Sequence, residues 1–166
     1  DTIGLDAVGT GLLFKRRDEK EDTFYDEWGV FYKQTTEALS HPVKGPIETK
    51  DDIKEYQPPD PEAPWRLGEL PGLVERFKGK KAIMVHHRAA FMWSAYLTGL
   101  DPLLLSFTAD PEFAHALLDK VLDANIAMVR RAIRAGAEIV SLGDDYAHNF
   151  GPMMSPAHFN EFIQPR

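Results

Sequence analysis

The chain has 166 residues, 43% of them hydrophobic and 11% aromatic, which suits one domain with a buried core. A formal net charge of -7 argues against a nucleic-acid partner, and no apolar run approaches the ~20 residues that cross a bilayer. Because cysteine is absent, these residues hold neither disulfides nor thiolate metal ligands. We therefore expect a cytoplasmic protein with neither a nucleic-acid nor a membrane partner.

The first part of the chain predicts short strands joined by irregular segments. Residues 3–8 are β-prone and run into a turn at residues 9–11, and the charge run at 15–22 is typical of a solvated loop. Alternating aromatic residues over 24–33 predict a hairpin or a short strand pair. Six prolines lie within residues 41–66, so we expect an irregular crossing there, with one helical turn near 51–56.

The next segments alternate between helix and strand. A short helix is predicted over residues 70–77, followed by a buried strand over 81–85 and a second short helix over 91–97. The longest helix is predicted over 110–135, because Asp110 is a good N-cap and an apolar stripe with helical spacing follows it. We interpret this long helix as scaffold without chemistry of its own.

Residues 136–146 are the most informative segment. A helix-ending glycine is followed by a β-prone run and two adjacent carboxylates, Asp144 and Asp145. Acids at the carboxyl ends of strands in α/β folds tend to line the ligand site. Adjacent strand residues point to opposite faces, so one of the two should face the site, with Asp144 the first choice. The alternative is that one of them caps a local turn.

The segment after the acidic pair completes a βα unit. Residues 148–154 are loop-like, and Ser155-Pro156 supplies an N-cap and a first-turn proline for another helix. This pattern predicts a partial (β/α)8 TIM-type barrel in one domain over residues 1–166. Because a full barrel takes about 250 residues, we expect roughly half of one, and hence a fragment.

A histidine pair closes the predicted strand at 81–85. Neutral imidazole at a strand end can bind a metal or move protons, so His86 and His87 are candidates for chemistry. The alternative is a purely structural pair, which is common.

In sequence order, several segments together resemble the uroporphyrinogen decarboxylase superfamily, which includes zinc- and corrinoid-dependent methyltransferases. The segments are residues 26–30, 41–44, 96–99, 110–113 and 135–165, and the last of these is the most specific. The resemblance implies an eight-stranded barrel with its site at the carboxyl ends of the strands. In decarboxylases of this family, the resemblance implies, a carboxylate binds the pyrrole N–H groups, while basic and tyrosine groups bind the acetate side chain that loses its carboxyl group.

Details of the resemblance bear on the choice of reaction. Tyr96 resembles the active-site tyrosine of the decarboxylases, although the spacing to Gly99 is one residue shorter, and the alternative is an amphipathic tyrosine at the edge of the core. The glycine–alanine–proline stretch that the family places after the middle strand is replaced by residues 87–91, and residues 26–29 look more like the methyltransferase branch. That branch takes its zinc from a histidine and cysteines in the second half of the barrel, so zinc and a corrinoid are possible cofactors of the full-length parent only.

Three functions therefore stay open. We favour methyl transfer between a corrinoid or other methyl donor and a thiol-type acceptor. The alternatives are decarboxylation of uroporphyrinogen to coproporphyrinogen in porphyrin biosynthesis, and a non-enzymatic module that binds a tetrapyrrole or another small molecule. The predicted catalytic residues are Asp144, Asp145, His86 and Tyr96, and the predicted substrate-binding residues are His87, Arg88, Tyr146, His148 and Trp28, with core packing as the alternative for Trp28.

The βα pattern also predicts geometry. Strands 81–85 and 138–142 should be parallel neighbours, with helix 110–135 crossing between them. Asp144, His86 and Tyr96 should converge on one cleft, with Asp145 and His148 at its rim. Half a barrel leaves sheet edges and an apolar layer uncovered, so we expect self-association or pairing with the missing half.

Overall fold

The computed structural model describes residues 4–36 and 40–166. In chain order the strands are β1 (Ala7–Gly11), β2 (Arg16–Asp18), β3 (Thr23–Asp26), β4 (Phe31–Lys33), β5 (His41–Lys44), β6 (Ala82–His87), β7 (Ile139–Leu142), β8 (Ala147–His148) and β9 (Gly151–Pro152). The helices are α1 (Lys50–Glu55), α2 (Leu70–Phe77), α3 (Ala90–Thr98), α4 (Leu100–Ala109), α5 (Pro111–Arg134) and α6 (Pro156–His158), which a π-helical turn over Phe159–Ile163 continues.

A parallel sheet with the order β1-β6-β7 positions the site. The predicted pairing of the two central strands is confirmed, because β6 and β7 are parallel neighbours in which Val85 lies opposite Val140. The faces of β6 differ: Ile83 and Val85 are fully buried, whereas His86 is exposed on the other face. The register places His86 level with Ser141 of β7 and Gly11 of β1, so these three residues share the open face of the sheet.

Helices α3, α4 and α5 pack on one another, and α2 contacts β6 and β1 of this sheet. The long helix α5 is confirmed, and the Asp110 side chain accepts the backbone N–H of Phe113 as its N-cap. Its apolar stripe is buried against α3 and α4. Helix α4 was not predicted from the sequence. Gly99, at φ 98°, separates α3 from α4 by a sharp bend that a residue with a side chain rarely adopts, so a second helix follows the one predicted over 91–97.

A second sheet, antiparallel, has the order β2-β3-β4-β5. The hairpin predicted over 24–33 is confirmed by the pairing of β3 with β4. Two predictions were wrong here. The charge run at 15–22 contains β2, because its exposed side chains leave the backbone free to pair with β3, and the proline-rich segment begins with β5, where Pro42 sits on an edge strand. The helical turn near 51–56 is confirmed as α1.

The N-terminal strand is shifted from its predicted position. Residues 9–11 belong to β1 and pair with β6 rather than forming a turn, since a parallel partner in the tertiary structure supplies their hydrogen bonds. Residue 3 of the predicted strand lies outside the described residues. The loop expected at 148–154 contains a small hairpin, in which β8 pairs with β9.

A buried arginine ties the segment after β1 to the rest of the fold. Arg66 is 0% exposed, and its guanidinium makes two hydrogen bonds of 3.0 Å to the carboxylate of Glu27. It also donates to the carbonyls of Asp60 and Leu13 and lies 4.6 Å from the centre of the Phe14 ring. These contacts hold residues 12–14, of which Leu12 and Phe14 line a cavity at the carboxyl end of the parallel sheet.

Candidate active site

An open cavity of about 420 Å³ lies at the carboxyl end of the parallel sheet. We call it the strand-end cavity, and its lining residues are Leu12, Phe14, His86, His87, Arg88, Trp93, Ser141 and Gly143. Leu12, Phe14 and Trp93 supply its apolar and aromatic lining, and the polar side chains come from the end of β6, from Arg88 and from Ser141 of β7. A concave, largely apolar site with a few convergent polar groups is the usual form of a small-molecule site.

Arg88 is the cationic group of this cavity. Within residues 4–36 and 40–166, no carboxylate forms an ion pair with its guanidinium, which lies 5.3 Å from the centre of the Tyr96 ring. Tyr96 itself lines a separate groove between β5 and α3 and packs edge-on against Trp93. Burial raises the pKa of Tyr96, and Arg88 opposes part of that rise. Arg88 therefore links the strand-end cavity to the groove that holds Tyr96.

Asp144 does not face the strand-end cavity. Its carboxylate accepts the backbone N–H groups of Phe91 at 2.9 Å and Met92 at 3.2 Å, in the first turn of α3, and the hydroxyl of Tyr146 at 3.3 Å. Burial raises the pKa of Asp144 above its ordinary value, although these hydrogen bonds pull it down. Asp144 thus acts as a cap for α3 across the sheet edge, in line with the helix dipole.

The site residues predicted after Asp144 do not line the strand-end cavity either. Asp145 is exposed, and His148 is exposed on the small hairpin, where its Nδ1 accepts the backbone N–H of Phe150 at 3.1 Å. Tyr146 packs against the rings of Phe91 and Phe159. Burial raises the pKa of Tyr146 to about 12.

His87 is buried on the helix side of β6 and stacks on Phe14 with 6.2 Å between ring centres. Its Nε2 lies 3.0 Å from Oδ1 of Asn125, whose Nδ2 donates to the carbonyl of Arg88 at 3.2 Å. Sequence reasoning assigned no chemistry to α5 and missed Asn125. Asn125 could have been found from the sequence as an amide side chain within the apolar stripe of a long helix. Such a group needs a hydrogen-bond partner once it is buried.

Trp28 is fully buried and stacks on Trp93 with 4.5 Å between ring centres. Its Nε1 finds no hydrogen-bond partner among the residues that the structure describes. This position favours the packing alternative for Trp28 over substrate contact.

The predicted convergence is therefore only partial. His86, His87 and Arg88 line the strand-end cavity together, Tyr96 joins them through Arg88, and Asp144 lies with Tyr146 in a separate small cavity behind α3. The prediction that Asp144 shares a cleft with His86 is wrong at the level of contacts, because the open amides at the start of α3 attract its carboxylate.

The described residues do not assemble a metal site by themselves. Across residues 4–36 and 40–166, no three histidine, aspartate or glutamate side chains lie close enough to hold an ion. In the same part of the chain, no helix combines the length and apolar character that crossing a membrane requires.

The sequence model of the family described as uroporphyrinogen decarboxylase (URO-D) matches residues 33–166, which is most of the chain. The chain belongs to the uroporphyrinogen decarboxylase family. Membership confirms the resemblance that the segments between residues 26 and 165 predicted.

Curated relatives in this family carry two different activities in their names. A uroporphyrinogen decarboxylase of Colwellia psychrerythraea is 28% identical over 127 residues and covers 70% of this chain. A uroporphyrinogen decarboxylase of Trichlorobacter lovleyi is 25% identical over 130 residues and covers 74% of this chain. A methylated-thiol–coenzyme M methyltransferase of Methanosarcina mazei is 28% identical over 127 residues, covering 75% of this chain. The matches span only 34% to 37% of these relatives.

A solved structure confirms the predicted fold class. A methyltransferase from Methanosarcina mazei superposes with a TM-score of 0.63 at 15% identity, covering 82% of this chain and 41% of the other. The chain is thus part of a TIM-type barrel, with β1, β6 and β7 as parallel barrel strands where a complete barrel has eight.

Proposed function

We propose that the protein transfers a methyl group from a methylated corrinoid or another methyl donor to a thiol-type acceptor. The preference for methyl transfer over decarboxylation rests on the position of Asp144. A decarboxylase of the family needs a carboxylate that is free to bind pyrrole N–H groups, whereas the Asp144 carboxylate already accepts two backbone amides and the Tyr146 hydroxyl. Freeing it would leave the first turn of α3 without acceptors, at a cost of about 1–3 kcal/mol.

The charge of the strand-end cavity supports the same reaction. Arg88 supplies a guanidinium at a wall otherwise made of rings and aliphatic groups, so the cavity suits a small acid whose apolar part packs against Phe14 and Trp93. A thiol that carries a carboxylate or sulfonate has this character. The methyltransferase relative acts on a methylated thiol by name, which adds support from the family.

Decarboxylation of uroporphyrinogen is the second candidate, and the pair of Arg88 with Tyr96 favours it. A cation lying 5.3 Å from the centre of a tyrosine ring matches the basic and tyrosine groups that serve the acetate in the family's decarboxylases. Under this alternative, Asp145, which is exposed, is the acid that would reach the pyrrole N–H groups.

Zinc does not fit the residues described here. Activation of a thiol by a Lewis-acid metal is the chemistry that zinc would supply, but the chain has no cysteine and its described part holds no cluster of three histidine or carboxylate groups. We therefore propose that any zinc ligands of the complete protein lie outside residues 1–166.

The test compares the two reactions on the complete protein. A methylated corrinoid with a thiol acid should give the thioether, measured by mass spectrometry, while uroporphyrinogen should lose no carbon dioxide. Arg88→Gln should lower thioether formation at least about tenfold, the equivalent of ~1.4 kcal/mol, and Arg130→Gln, an exposed arginine on α5, should leave it unchanged. Decarboxylation without thioether would establish the second candidate, and neither product would favour a binding module.

A further inference from the structure

We infer that Nδ1 of His87 is the hydrogen-bond acceptor of the strand-end cavity, held unprotonated by Asn125, and that it receives the proton of an ionisable X–H group on the ligand. The assignment of that group to a thiol rests on the methyl transfer proposed above. The assignment of the acceptor atom rests on the hydrogen bonds of His87 alone.

The tautomer of His87 follows from the direction of two hydrogen bonds. The Arg88 carbonyl can only accept, so the nitrogen of the Asn125 amide must face it, at 3.2 Å. The amide oxygen therefore faces His87, and an oxygen that accepts requires a proton on Nε2 at 3.0 Å. In the neutral ring this leaves Nδ1 without a proton and with a free lone pair.

Nδ1 of His87 is accessible rather than sealed in the core. No hydrogen bond to it occurs within the described part of the chain. It is also not among the buried polar atoms without a partner, which in that part are Nε1 of Trp28, Nε1 of Trp93 and Oγ of Ser94. Because His87 lines the strand-end cavity, the lone pair of Nδ1 is available to a molecule bound there.

The surroundings of His87 keep the ring neutral. Burial lowers the pKa of His87, and the guanidinium groups of Arg66 and Arg88 lower it further, while the hydrogen bond with Asn125 opposes them. Both charged groups that act on the imidazole, Arg66 and Arg88, are cations. A neutral imidazole with one free nitrogen is the form that accepts a proton.

A cavity with this acceptor beside the Arg88 cation fits a small acid that carries an X–H group. In the proposed reaction, the S–H bond of the acceptor breaks and its proton moves to Nδ1 of His87. The electron pair left on sulfur forms the bond to the methyl carbon, and the bond between that carbon and the methyl donor breaks with its electron pair on the donor. Asn125 is a positioning residue, because it acts through the ring of His87.

The tautomer is tested on the protein with ¹⁵N-labelled histidine, by long-range ¹H–¹⁵N correlation spectra. Wild-type His87 should give the pattern of a neutral ring protonated on Nε2 alone. Asn125→Leu should give a mixture of both tautomers, and Asn125→Asp, whose carboxylate favours the cation, should give a ring protonated on both nitrogens near neutral pH. Asn149→Leu, an exposed asparagine, is the matched control. A wild-type ring protonated on Nδ1 would overturn the assignment.

The ligand class is tested by calorimetric binding of 3-mercaptopropionate and of its S-methyl derivative, which lacks the S–H group. His87→Phe keeps the stacking on Phe14 but removes both nitrogens. It should weaken binding of the thiol about tenfold, as expected for one lost hydrogen bond, and leave the S-methyl derivative unchanged. Equal losses for both compounds, or no loss, would contradict the inference. Binding of neither to the wild type would overturn the thiol assignment, and the spectra would still decide the tautomer whether or not methyl transfer is the reaction.

Discussion

Replacement of Arg66 by methionine is expected to destabilise the protein and to loosen one wall of the strand-end cavity. Arg66 is fully buried, and its removal takes the guanidinium donor away from the carbonyls of Asp60 and Leu13 and from the Glu27 carboxylate, which keeps the backbone N–H of Lys15 as a donor. Burial by itself would raise the pKa of Glu27, but the Arg66 and Lys15 donors outweigh it and hold that pKa below its ordinary value. The carboxylate is thus ionised, and it depends on this partner.

The size of the effect follows from the groups left behind. Removing one partner of a buried ion pair costs about 3–5 kcal/mol, and methionine of similar length recovers only packing. We expect Arg66→Met to lower the free energy of unfolding by about 4 kcal/mol and the melting temperature by roughly 10 °C. Urea denaturation followed by tryptophan fluorescence measures the first quantity, because Trp28 and Trp93 lie in the core next to this site.

Two variants separate charge burial from loss of packing. Arg66→Met combined with Glu27→Met removes the stranded carboxylate and should be at least about 1 kcal/mol more stable than Arg66→Met alone. Arg134→Met removes an exposed arginine that pairs with Glu62 and should change stability by no more than about 0.5 kcal/mol. An Arg66→Met protein within about 1 kcal/mol of the wild type would refute the reasoning.

Four further predictions concern the site and the fold. Asp144→Asn should lower stability by about 1 kcal/mol in thermal melts, because one of the two α3 amides that its carboxylate binds loses its acceptor, and an unchanged melting temperature would contradict the capping role. Burial raises the pKa of Asp26 from 3.8 to about 6. The stability that the protonated Asp26 contributes is therefore complete below pH 3.8 and is lost as the pH rises through about 6. Asp26→Asn should flatten that part of the stability profile measured by urea titration, and an unchanged slope would contradict this prediction. Gly45→Ala should yield little soluble protein on expression, because its Cβ would collide with the Leu97 carbonyl, whereas Gly72→Ala, where nothing lies nearby, should express normally. Residues 1–166 alone should self-associate in sedimentation velocity runs. Leu142→Lys should associate less, because Leu142 is 58% exposed beside a sheet edge. A monodisperse wild-type monomer would contradict this prediction.

Local sequence patterns were sufficient for the elements whose signals are local. The long helix carries its cap, its first-turn proline and its apolar stripe within residues 110–135, and the Ser155 cap is confirmed by its hydrogen bond from the backbone N–H of His158. The parallel pairing of β6 with β7 follows from the strand–helix–strand order, because a crossover helix returns the chain in the same direction. The barrel fold and the family were predicted from several segments that, in sequence order, resemble the family.

Tertiary structure decided where the polar side chains at the sheet edge point. Asp144 and His86 both lie at the carboxyl ends of strands in one parallel sheet, yet the amides of α3 hold Asp144. His87, for which the sequence left a purely structural role open, lines the strand-end cavity, and its Nε2 lies beside Asn125, 38 residues away. These choices depend on which donors and acceptors are left open after packing, and that balance involves residues far apart in the chain. Sequence periodicity reports which residues are buried, but it does not report the partners that burial brings together.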